Sequence, residues 1–241
     1  MIRSTTLFLF LALALSPVAF AADESAQLGT VWTIHVEAND SARYIEYMKS
    51  HTELFKAMNS SAGGYCMTTA GQSYPGQIFV WSFYPNFEKA LTETAQNTLD
   101  PKAAKELAKL RSIKYMAGWN TLKTFELTPG YERVWRLAVA PEKRPEFIER
   151  LTEMEKAGQA NGHPNVQYAV FAPVGGGPVE VGQIMVRVLA PTPAELGKYI
   201  DDLNSQPKWA RKVGQKVVSL VESVSDDTIE VCEQVYQAQA N

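Results

Sequence analysis

The chain has 241 residues, 23 Lys and Arg against 26 Asp and Glu for a formal charge of -3, 46% apolar residues and two cysteines. That balance supplies no basic stripe, which excludes DNA and RNA as partners, and it carries enough apolar side chains for a substantial core.

Arg3, the apolar run Leu7 to Leu15 and the small-x-small Ala19-Phe20-Ala21 read as a cleaved secretory signal over residues 1–21. The run is shorter than the roughly 20 residues that span a bilayer. The expectation is a periplasmic or secreted protein with no membrane span. The remainder reads as two copies of one pattern. Val31-Trp32 and Val134-Trp135 stand 103 positions apart, as do Tyr44-Ile45-Glu46 and Phe147-Ile148-Glu149, and Tyr65 and Tyr168. After the glycine-rich loop Val174 to Pro178 the offset becomes 106, pairing Gly76-Gln77-Ile78 with Gly182-Gln183-Ile184 and Pro101-Lys102 with Pro207-Lys208. A duplication with one three-residue insertion is expected, with units at residues 22–129 and 130–241.

In chain order, Val31 to Glu37 alternates as a strand, and Asp40 or Ser41 caps a helix carrying Tyr44, Ile45, Met48, Phe55 and Met58 at helical spacing. Gly63-Gly64 is expected to break that helix before strands at Tyr65 to Thr69 and Gln77 to Tyr84. Asn86 opens a helix to about Leu99, Asp100-Pro101 opens another ending near Ile113, and a last strand is expected around Thr121 to Leu127. The second half repeats the order, with Thr192 and Glu195 as a capping box. Each half thus reads β-α-β-β-α-β, the ferredoxin-like unit with spatial strand order 4-1-3-2.

Two such units, from about Thr30 to Val235, resemble a tandem fusion of the dimeric α/β-barrel superfamily, similar to antibiotic-biosynthesis-monooxygenase, EthD-like and NIPSNAP-type domains. The resemblance implies an α+β fold in which the two sheets close into one pseudo-dimeric barrel, so a monomer is expected. It also implies a range of activities, from cofactor-free oxygenases, isomerases and haem-degrading enzymes to ligand binders, so the fold alone does not select one.

Strand parity predicts the lining. Trp32, Ile34 and Val36, with Trp135, Leu137 and Val139, share the helix-facing side, which leaves Thr33, His35, Arg136 and Ala138 inward. Likewise Gln77, Phe79, Trp81, Gln183, Met185 and Arg187 point inward. A mixed lining with two guanidinium groups suits a small aromatic or acidic ligand. The competing reading pairs Arg136 and Arg187 with acids such as Glu126 and Glu230 as structural ions. Of the three histidines, His163 sits in a turn sequence and is expected to be exposed, and His51 is a core or boundary residue on the first helix. His35 is the candidate general base.

No zinc, haem-attachment or phosphate-loop motif occurs. The haem-degrading members imply a histidine on the second helix, and Phe87 to Ile113 and Pro193 to Leu220 contain none, so no metal and no cofactor are expected. Strand 4 of one half should meet strand 2 of the other, which places Cys66 beside Cys232. A seam disulfide is expected, with two buried thiols as the alternative. The function expected is an exported small-molecule-binding barrel, with cofactor-independent oxidation or isomerisation of an aromatic or acidic molecule as the implied activity. The alternative is a non-catalytic structural or partner-binding envelope protein.

Overall fold

The computed structural model describes residues 29–96 and 99–239, so the export signal expected over residues 1–21 lies outside the described residues. In the N-terminal half the elements are β1 (Thr30–Ala38), α1 (Ser41–Ser50), α2 (Glu53–Ala57), β2 (Ala62–Ala70), β3 (Gln77–Tyr84), α3 (Phe87–Gln96), α4 (Pro101–Leu110) and β4 (Arg111–Lys123). The C-terminal half follows as β5 (Gly130–Ala138), α5 (Arg144–Ala160), β6 (Gln167–Gly175), α6 (Gly177–Glu180), β7 (Ile184–Ala190), α7 (Pro193–Asn204), α8 (Lys208–Leu220) and β8 (Ser223–Gln237). The fold is α+β. The strands form one closed barrel in the order β1-β3-β2-β8-β5-β7-β6-β4, and every pairing is antiparallel. Closure leaves no sheet edge, which removes the unpaired backbone groups that invite aggregation.

Alternation along each strand divides the core into three layers. Val36, Ile78 and Val80 face α1, α2 and α4 through Tyr44, Met48, Phe55, Leu107 and Leu110. On the other side of the molecule Leu137, Ile184 and Val186 meet Phe147, Leu151, Leu196 and Tyr199. Between them the barrel interior holds Phe79, Trp81, Trp119, Phe171 and Met185. Capping follows the sequence: Asp40 and Asp100 accept backbone N–H groups at the starts of α1 and α4, and Thr192 and Glu195 form the capping box of α7.

Three local expectations are corrected. Gly63 and Gly64 lie inside β2 and do not end a helix. A Cβ at Gly63 would come within 2.2 Å of the Phe55 ring, and one at Gly64 within 2.1 Å of the Glu233 carbonyl, so close approach explains both glycines. The first helix ends at Ser50 and restarts at Glu53, with His51 and Thr52 between. The last strand of the N-terminal half begins at Arg111, ten residues earlier than expected, and residues 124–129 are an irregular linker. Its alternating inward set Tyr115, Ala117, Trp119 and Thr121 follows a charged opening, Arg111 and Lys114, that disguises the period. None of the described helices is long and apolar enough to cross a membrane.

Candidate functional site

Thr33, His35, Phe79, Trp81, Arg136, Met185 and Arg187 are all buried in the barrel, as parity predicts. Gln77 and Gln183 are not brought into that group. Gln77 opens β3 half-buried, and its side-chain oxygen accepts from the Ser73 backbone. Gln183 precedes β7 and accepts from the Ser225 hydroxyl.

The interior polar groups form two clusters. In the first, the Arg187 guanidinium donates from Nε to Glu132 and from Nη2 to Glu230, both at 2.5 Å. Glu132 and Glu230 sit opposite each other across β5 and β8, so one arginine on β7 serves two carboxylates. Burial pushes the Glu132 carboxyl above the usual range, with Arg187 pulling the other way. Beside this group, Cys66 and Cys232 are directly paired across β2 and β8 and joined by a disulfide. Arg187 Nη2 lies 3.3 Å from the Cys232 sulfur and 3.6 Å from that of Cys66. Both sulfurs stand near Glu132 in a cluster of metal-ligand type, but the disulfide occupies them.

In the second cluster Arg136 donates from Nε and Nη2 to the two oxygens of Glu180, at 3.2 and 3.1 Å. Tyr115 donates to the same carboxylate at 2.8 Å, and Asp226 stands 4.0 Å from the guanidinium. His35 stacks on Tyr115 with ring centroids 4.1 Å apart. The Thr33 hydroxyl accepts from Trp119 Nε1 at 2.9 Å and donates to the Ala117 carbonyl at 3.2 Å. Its single proton is thereby used, so His35 Nε2, at 3.1 Å, is the donor to it. Burial, reinforced by Arg136 and Arg187, drives the imidazole pKa well below its ordinary value. His35 is thus a neutral, hydrogen-bonded imidazole and a poor proton acceptor.

Both arginines are therefore paired with acids, and of the acids considered from sequence Glu230 takes part while Glu126 lies exposed in the linker. Glu132 and Glu180 complete the pairs; Glu132 was legible from its inward parity two residues before Val134, whereas Glu180 ends the one-turn α6 between β6 and β7 and carried no periodic signal. A cavity of about 70 Å³ inside the barrel is walled by Phe79, Trp81, Phe125, Phe171 and the disulfide. Ligand pockets usually measure about 300–1,000 Å³.

A space of that size exists elsewhere. A groove of about 830 Å³ runs between α8, α5 and the outer face of the C-terminal strands, floored by Trp135, Leu137, Leu151, Met154, Gly214 and Val217. Arg211, Gln215, Ser219 and Glu222 edge it, and Val218 and Val224 are exposed beside it. Neither histidine nor cysteine lines it, and Tyr168 on its wall shares its hydroxyl with Tyr199 at 2.8 Å. Those residues do not fit a haem held through an axial imidazole or thiolate. His163, expected at the surface, is buried, with Nε2 2.8 Å from Asp202 and its ring edge-on to Tyr199. The turn sequence around it concealed an inward side chain that fastens α7.

No protein-family model matches the chain, and no curated protein does. Solved structures do match. An anthrone oxidase-like protein aligns over 90% of this chain and 98% of its own, with 11% identity and a TM-score of 0.54. The likeness is one of fold, a closed antiparallel barrel flanked by helices. A protein from Lactobacillus acidophilus NCFM, provisionally named a monooxygenase, aligns over 86% of this chain and 95% of its own (10% identity, TM-score 0.55). A chlorite dismutase variant from Candidatus Nitrospira defluvii covers 88% of this chain and 93% of its own (5% identity, TM-score 0.52). At these identities the superfamily resemblance speaks for architecture, and the chemistry must come from this chain's own side chains.

Proposed function

We propose that this protein is an exported barrel that binds a small, largely apolar molecule in the groove between α8, α5 and the C-terminal strands. The observation that carries the reading is a groove of about 830 Å³ with an aromatic and aliphatic floor and a polar edge. Arg211 on that edge makes no ion pair among the described residues and donates only to the Gln206 carbonyl, so it suits an acidic group on the ligand. Oxidation of that molecule is the activity that the oxygenase names among the fold neighbours favour for testing. His35, sealed in the barrel and neutral, is not the base for it.

Export rests on the leader-like residues 1–21, and a tandem duplication of ferredoxin-like units at 22–129 and 130–241 rests on the in-register repeat. The strand orders β4-β1-β3-β2 and β8-β5-β7-β6 support the second point, as does a barrel that the strands of one chain close. Native mass spectrometry of the protein recovered from the periplasm of its own cells tests the function. One adduct per chain, released on denaturation without reductant, is expected. A bare chain whose melting temperature does not move across a panel of aromatic acids would contradict it.

A further inference from the structure

The glycine-rich loop Val174 to Pro178, where the repeat offset grows by three, opens a segment, 175–182, whose Glu180 side chain is buried against the barrel residues Arg136 and Tyr115. Four glycines in it, Gly175, Gly176, Gly177 and Gly182, have φ between +62° and +86°. At Gly175, Gly177 and Gly182 an added Cβ would touch nothing within 4 Å, so the backbone conformation itself requires glycine there. The one-turn α6 exposes Val179, as the next residue, Val181, is exposed, yet buries Glu180 completely. Glu180 supplies side-chain hydrogen bonds that tie this segment to the barrel, and Gln183, just after it, accepts from Ser225.

What Glu180 meets is a carboxylate receptor. Two guanidinium N–H groups face its two oxygens in a fork, and a tyrosine hydroxyl supplies a third bond. Both partners stay donors at any ordinary pH, since arginine keeps its charge and burial, with Glu180 beside it, raises the Tyr115 hydroxyl pKa. His35 and Trp119 give the receptor aromatic walls, at 4.1 Å from the Tyr115 ring and 5.6 Å from Arg136. A second observation points the same way. The matching loop of the N-terminal half carries Tyr74, whose hydroxyl is buried without a hydrogen-bond partner. Burial pushes that hydroxyl up to about 12, and the field of Arg136 reaches it.

We propose that Arg136 and Tyr115 form a binding site for a small aromatic carboxylate, which Glu180 occupies until the glycine-hinged segment 175–182 swings out. The site lies inside the barrel, apart from the groove, and stands independently of the function proposed above. Because the chain's own carboxylate competes, the apparent affinity of the intact protein falls by the fraction of molecules with the segment open.

Benzoate is the probe, with neutral benzamide as control. In calorimetric titrations Glu180→Ala is expected to bind one benzoate about tenfold or more tightly than the unaltered protein, by release of that competition. Benzoate, and not benzamide, should raise its melting temperature, and adding Arg136→Met should abolish both effects. In the unaltered protein, benzoate should speed amide hydrogen exchange across residues 175–183. If Glu180→Ala does not fold alone, recovery of its folded state by millimolar benzoate is the expected result. Folded Glu180→Ala that ignores benzoate, unfolded Glu180→Ala that benzoate does not recover, or unchanged exchange in the unaltered protein would each overturn the proposal.

Discussion

Two arginines and three glutamates are buried inside the barrel, and their pairing decides what a single substitution does there. Removing Arg187 would strand Glu132 and Glu230 without a cation. Arg187→Met is expected to cost about 3–5 kcal/mol in urea unfolding at pH 7, and adding Glu132→Gln with Glu230→Gln should restore most of it. A triple variant as unstable as the single one would refute the pairing as the cause. His35 acts through pH. Its folded pKa is depressed, so its contribution is full above the unfolded value near 6.5 and is lost as pH falls toward the folded value. Between pH 6.5 and 5.5 the loss is about 1 kcal/mol, and His35→Gln should flatten that part of the stability profile, read by urea unfolding at both pH values. At this scale the inward set was legible because parity needs only the strand's period. Glu180, which follows a glycine-rich loop, and His163, which sits in a turn, were less so, because no period specifies direction there.

Among the elements, α8 controls the groove. Gly214 sits on it facing Met154, whose flexible terminal carbon would lie 3.4 Å from an added Cβ. Gly214→Ala should therefore stabilise the protein by about 0.5–1 kcal/mol through helix propensity, measured by thermal or urea unfolding. A clear loss would mean that Met154 cannot yield. A larger side chain at the same place should fill the groove. The helices of the C-terminal half and their capping were readable because Thr192, Glu195 and Pro207 mark them explicitly. β4 was misplaced because Arg111 and Lys114 interrupt the apolar pattern where the strand begins, and tertiary pairing with β1 overrides the local signal.

At the scale of the molecule, closure of the barrel rests on two seams, β2 with β8 and β4 with β6, and the disulfide fastens the first. The bridged cysteines are 166 positions apart, for which the chain-entropy model gives roughly 5 kcal/mol as an upper figure. Replacing both by serine should lower stability by up to about that amount in urea unfolding and leave the far-ultraviolet circular dichroism intact, because the strands pair without it. The seam could be derived from sequence because topology fixes which edges meet, and the groove could not, because it depends on how far α8 stands from the sheet. The central claim is that this groove holds the ligand. Calorimetric titration with 8-anilinonaphthalene-1-sulfonate, an aromatic anion, tests it most directly on the unaltered protein and on Gly214→Phe. One site per chain, lost in Gly214→Phe while its melting transition stays cooperative, is the expected result. Binding of equal strength to both proteins, or to neither, would contradict the account.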